Sequence, residues 1–135
     1  MMKIAVLGDS QLRYIDLNAI DNCEIRIFCA PGAGIENIAE RDIFNEFKLY
    51  EPDYVQIFVG GNDINNMHQN IISDFKENFM AFTTLLDNIP SIKKYQFFEI
   101  LPRCGNNKYI SEAEFRTCRH SINRWLRKEL DKGDF

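Results

Sequence analysis

Three short segments of this sequence bring together residue types that acyl transfer needs. The first is Gly8-Asp9-Ser10, directly after the apolar run Ile4-Ala5-Val6-Leu7. A serine that follows a buried strand and opens a helix has its hydroxyl beside unpaired N–H groups and the positive end of the helix dipole, where developing negative charge is favoured. That position suits a nucleophile. It equally suits a helix N-cap, for which Asp and Ser are preferred. The second segment is Pro31-Gly32-Ala33-Gly34, where a glycine can bring its N–H close to an oxyanion or simply make a turn. The spacing Gly32-x-Gly34 does not extend to a dinucleotide fingerprint, since Asn37 stands where a third glycine is needed and the segment follows the second strand. The third is Gly60-Gly61-Asn62-Asp63, a small-residue bend next to a side-chain amide that can donate to an oxyanion. In isolation it is only a turn signal.

The elements that must position these segments follow from the hydrophobic pattern. Lys3 to Leu7, Glu24 to Cys29, Tyr54 to Val59 and Tyr95 to Leu101 read as short strands. Between them lie stretches of helical periodicity. One runs from Ser10 to Ile20 with Leu12, Ile15 and Ala19 on one face; a second carries Ile35, Ile38, Ile43 and Phe47; a third carries Phe75, Phe79, Phe82, Leu85 and Leu86 and is closed by Pro90. After the polar loop Pro102 to Tyr109, Ser111 and Glu114 form a capping-box pair ahead of a helix with Phe115, Cys118, Ile122, Trp125 and Leu126 facing inward. Crossovers of this length are right-handed and make the strands parallel, so the pattern predicts a small doubly wound α/β sheet of four βα units. In such sheets ligands bind outside the carboxyl ends of the strands. Strand order 2-1-3-4 makes the first and third strands neighbours about 4.8 Å apart, which sets Ser10 and Asn62 across a shallow cleft.

Length and composition narrow the function classes. A chain of 135 residues suffices for one domain and one core, so residues 1–135 are expected to form a single unit. No apolar run approaches the roughly 20 residues of a membrane span, and Met1-Met2-Lys3 leads into an apolar run too short for a secretion signal. The formal net charge of -4 removes the bulk attraction behind nonspecific nucleic-acid binding. Cys23, Cys29, Cys104 and Cys118 lack CxxC spacing and histidine partners, so zinc and thioredoxin-like sites are not expected and a reduced, cytoplasmic chain fits best.

Gly8-Asp9-Ser10, the glycine after the second strand, and Gly60-Gly61-Asn62-Asp63 together resemble the first three motif blocks of the SGNH hydrolases, or GDSL-type esterases. The phrasing Cys29-Ala30-Pro31-Gly32-Ala33 and Ile100-Leu101-Pro102-Arg103 looks most like esterase domains of some retroelements and related animal proteins. The resemblance implies a flavodoxin-like three-layer α/β/α fold and Ser10 as nucleophile. It also implies an oxyanion hole made by the Ser10 and Gly32 N–H groups with the Asn62 side chain, flanked by Asp9, Gly61 and Asp63. It implies hydrolysis of small carboxylic, acetyl or lipid esters without a metal or organic cofactor. Gln11 replaces the leucine of the family's name motif at a position that does no chemistry.

The family's last block, Asp-x-x-His, is missing. The chain's histidines are His68 and His120, preceded three residues earlier by Asn65 and Thr117. The sequence stops where a fifth strand would begin, so the expectation is a domain shortened at its C-terminus, an esterase core impaired for want of its base. The other reading is a noncatalytic module that binds a protein, RNA or lipid partner. His68, five residues past Asp63, is the candidate substitute base, against the plainer reading of a solvated loop histidine. His120, mid-helix, is expected at the surface. Asp9 and Asp63 offer a rival magnesium pair for phosphoryl chemistry, disfavoured because no phosphate-cradling loop or lysine accompanies them. Arg116, Arg119, Arg124, Arg127 and Lys128 read as a solvated helix face. A missing fifth strand would leave the fourth as an open apolar edge, from which self-association is expected.

Overall fold

A computed structural model describes residues 1–14, 22–66, 70–103 and 110–130. Strands β1 (Met2–Gly8), β2 (Cys23–Cys29), β3 (Tyr54–Phe58) and β4 (Lys94–Phe97) form one parallel sheet in the order β2-β1-β3-β4, as the pattern predicts. The most central apolar run is the most buried, as expected for a strand covered on both faces: Ala5, Val6 and Leu7 of β1 are all in the core. Helices α1 (Asp42–Tyr50), α2 (Gly61–Asn66), α3 (Ile71–Asp87) and α4 (Glu112–Leu130) flank the sheet, giving a small three-layer α/β architecture.

Phenylalanine does much of the packing. Phe28 of β2 meets Phe47 of α1 edge-on at 5.7 Å, Phe44 reaches Phe82 of α3 at 6.1 Å, and Phe79 joins Phe97 of β4 at 4.6 Å and Trp125 of α4 at 5.1 Å. Two of these pairs are T-shaped and two are tilted, and edge-to-face aromatic pairs add about 0.5–1.5 kcal/mol each beyond their buried area. Helix α4 starts as its capping box predicts. Ser111 Oγ accepts the Glu114 N–H at 3.1 Å and donates to Glu114 Oε1 at 2.9 Å.

Four expectations need correction. The helix expected from Ser10 is a 3-10 turn over Ser10–Tyr14, and 15–20 lie outside the described residues. The helix expected to begin near Ile35 is split into a 3-10 turn, Ile38–Glu40, and α1, because Arg41 between them is extended. The loop expected over Gly60–Asn66 is helical from Gly61, its first turn closed by Ile64 N–H donating to Gly60 O at 3.2 Å. Finally, β4 ends at Phe97 rather than Leu101. Three residues on, the Ile100 N–H donates to Asn123 Oδ1 at 2.7 Å and the Ile100 carbonyl accepts from Asn123 Nδ2 at 3.0 Å, so a buried side chain of α4 takes the hydrogen bonds a longer strand would have made.

Candidate active site

The carboxyl ends of β1, β2 and β3 are joined by hydrogen bonds between their loops. Gly8 lies so close to β3 that a methyl group there would be 2.4 Å from Phe58 O. The next amide, Asp9 N–H, donates to that same carbonyl at 3.2 Å, and Ala30 N–H donates to Gly8 O at 2.7 Å. Asp9 is fully buried, and its Oδ1 accepts the Gln11 N–H at 3.0 Å. This bond separates the two readings of position 10. Asp9 caps the turn, through its side chain and through its carbonyl, which accepts Leu12 N–H at 3.1 Å. Ser10, half-buried at the first position of the turn, is not the cap, and among the described residues its hydroxyl and its N–H have no hydrogen-bond partner.

The loop after β2 is held by the first residues of α2. Asn62 Nδ2 donates to Ala33 O at 2.9 Å. The Asp63 carboxylate accepts Ile35 N–H at 2.9 Å through Oδ2 and Glu36 N–H at 3.3 Å through Oδ1. A methyl group on Gly34 would stand 2.6 Å from Asp63 Oδ1, so this approach requires glycine. Gly34 N–H in turn donates to Asn37 Oδ1 at 2.9 Å. Gly32, at the exposed tip, has φ +77 and, among the described residues, an unpaired N–H. Burial pushes the Asp63 carboxyl up to about 6 despite the Ile35 and Glu36 N–H groups that favour its charge.

No protein-family model and no curated protein matches the sequence. Solved structures do match in shape. An acetyl xylan esterase superposes with TM-score 0.64 at 19% identity, over 96% of this chain and 74% of that one. A lipase/acylhydrolase from Enterococcus faecalis gives 0.62 at 16%, over 94% and 73%. An extracellular lipase from Streptomyces rimosus gives 0.59 at 12%, over 98% and 77%. The chain has an SGNH/GDSL hydrolase-like fold.

Within this SGNH-like frame, sequence reasoning missed one residue of the site, Arg103. It lies in the loop after β4, half-buried, with Nη1 donating to Asn62 Oδ1 at 3.3 Å and Nη2 3.9 Å from Asp9 Oδ2. Its guanidinium lies over the Phe115 ring at 5.9 Å and against Gly61, where a methyl group would be 2.4 Å from Nη2. Its place in a loop at the carboxyl edge of the sheet, and in the Ile100-Leu101-Pro102-Arg103 phrase, signalled it without giving it a role. Burial raises the Asp9 carboxyl above its ordinary range, with the Gln11 N–H and then the Arg103 charge pulling the other way.

The two carboxylates of the rival metal pair are held by different parts of the site. Asp63 is engaged by the loop after β2, and Asp9 by Gln11 and Arg103, so each carboxylate serves a different neighbour. Among the described residues no group of three or more His, Cys, Asp or Glu side chains is placed to hold a metal. His68 lies outside the described residues. His120 is exposed on α4 beside Arg119, as expected. The basic residues of that helix are largely solvated, with Arg116 paired to Glu112 at 3.8 Å and Arg127 to Glu99 at 3.3 Å.

Proposed function

We propose that this chain is a serine ester hydrolase core of the SGNH type, with Ser10 as nucleophile and the Ser10 N–H, Gly32 N–H and Asn62 Nδ2 as oxyanion donors. The observation that carries the reading is the assignment of capping to Asp9, which leaves the Ser10 hydroxyl uncommitted at the loop that adjoins both oxyanion-donor loops. In this reading Ser10 Oγ attacks the carbonyl carbon of a small ester. The carbonyl oxygen takes up the negative charge and is met by the three donors, and the serine proton passes to a base. The tetrahedral intermediate expels the alcohol, and water then releases the acid from the acyl-serine. Neither histidine of the sequence belongs to an Asp-x-x-His, so the base step is weak in these 135 residues. Losing a triad base costs on the order of 10⁴ to 10⁶ in rate, which places turnover near background while slow covalent capture at Ser10 survives. Cytoplasmic residence belongs to the same proposal and rests on cysteine usage.

The test is covalent labelling with a fluorophosphonate, in parallel with turnover of p-nitrophenyl acetate. Intact mass and peptide mapping should find one adduct, on Ser10, absent from Ser10→Ala, with turnover close to background. Labelling spread over other serines, or unchanged in Ser10→Ala, would overturn the esterase reading and favour the noncatalytic binding module. Fast turnover abolished by Ser10→Ala would retain the nucleophile and make His68→Ala the next variant.

A further inference from the structure

We infer that Arg103 is a positioning residue of this site: it holds the Asn62 amide with Nδ2 toward the oxyanion, and Gly61 lacks a side chain so that the guanidinium can lie there. The inference rests on the esterase reading for the meaning of Asn62, and on geometry alone for the contact.

An asparagine amide has two nearly isosteric orientations, and its neighbours choose between them. Here both ends are specified. Ala33 O is an acceptor and takes Nδ2 at 2.9 Å, while Arg103 is a pure donor and takes Oδ1 at 3.3 Å. With one Nδ2 proton on Ala33, the second is fixed in direction and remains to be given to a substrate oxygen.

The guanidinium is itself held by further neighbours. Nη2, Cζ and Nε would lie 2.4, 2.6 and 2.8 Å from a methyl carbon on Gly61, so the group occupies the space that a side chain there would need. Phe115 covers it at 5.9 Å, and Asp9 Oδ2 lies 3.9 Å from Nη2. That oxygen is buried and has no hydrogen-bond partner, so Arg103 supplies its nearest countercharge. Upstream, the loop carrying Arg103 is fixed by the Ile100–Asn123 pair. One forked cation thus connects the residue before the nucleophile to the oxyanion amide, and the point charge of lysine cannot reproduce the fork.

The decisive measurement is the Asn62 side-chain amide in a ¹⁵N-resolved NMR spectrum, together with the rate of fluorophosphonate capture. Arg103→Gln and Gly61→Ala should each move both Asn62 Hδ2 resonances and speed their exchange with water. Each should also slow Ser10 capture by about 10- to 100-fold, the scale of a misplaced group. Asn62→Ala should lose on the order of 10² to 10³, and adding Arg103→Gln to it should cost nothing further. Arg103→Lys should recover only part of the rate. If Arg103→Gln fails to fold because Asp9 is left unpaired, Asp9→Asn/Arg103→Gln carries the same comparison against Asp9→Asn. Unchanged Asn62 signals, or losses that multiply in the Asn62→Ala background, would overturn the positioning role. Absence of Ser10 capture in the parent chain, with Asn62 signals that still answer to Arg103, would remove the esterase reading and leave the positioning role standing.

Discussion

Gly34 and Asp63 approach so closely that a methyl group on the glycine would stand 2.6 Å from the Asp63 Oδ1. The carboxylate cannot swing away without releasing the Ile35 and Glu36 N–H groups, so the loop after β2 and the start of α2 form one unit. Gly34→Ala should therefore overpack a pinned contact and destabilise the fold by about 2 kcal/mol in urea unfolding. Gly32→Ala meets no clash, its nearest neighbour being Arg41 Nη2 at an ordinary contact distance of 3.9 Å, and adds only left-handed strain of about 1 kcal/mol. Equal losses at the two glycines would show that Asp63 moves freely.

Asp63 also fixes a pH dependence. Its carboxyl is raised from 3.8 to about 6 on folding, so the folded chain binds this proton more tightly than the unfolded chain. The stability contributed by protonation is fully present below about pH 4 and is lost as pH rises through about 6, with a total up to about 3 kcal/mol. Asp63→Asn should flatten the stability profile between those values. A variant profile parallel to the parent would contradict the assignment.

Asn123 is a buried polar residue whose amide spans the Ile100 peptide groups. Asn123→Leu should leave a buried N–H and a buried carbonyl unpaired and cost about 2–4 kcal/mol, far more than the loss of one exposed bond. Because the same loop continues to Arg103, the variant should also disturb the Asn62 amide resonances. Loss of stability with those resonances unmoved would separate the loop's anchoring from the site.

Strand β4 is an edge among the described residues, pairing with β3 alone. It begins with Lys94, a charge of the kind that discourages edge pairing, and is shorter than its sequence pattern predicts. Self-association through this edge is proposed to be weak and concentration-dependent in light scattering. Gln96→Lys should lower it further, and a monomer at all concentrations would remove the proposal.

Much of this architecture is written locally in the chain. Alternation of short apolar runs with helical periodicity specifies four strands and their parallel sense, and the doubly wound order 2-1-3-4 taken with that pattern has β1 between β2 and β3, as observed. Ser111 and Glu114 specify a helix start from four residues, and Gly8-Asp9-Ser10 specifies a polar turn at a strand end. What the pattern cannot carry is the identity of partners distant in sequence. Whether Asp9 or Ser10 caps the turn depends on which side chain is drawn under the loop by β2 and β3. Where β4 stops depends on Asn123, 23 residues beyond Ile100. Asp63 serves the loop after β2 across separations of 27 and 28 residues, and Arg103 reaches Asn62 across 41. Periodicity records which face of an element is buried. The choice of a hydrogen-bond partner for a buried charge or amide is made only when packing brings distant loops together and removes the water that would otherwise satisfy them.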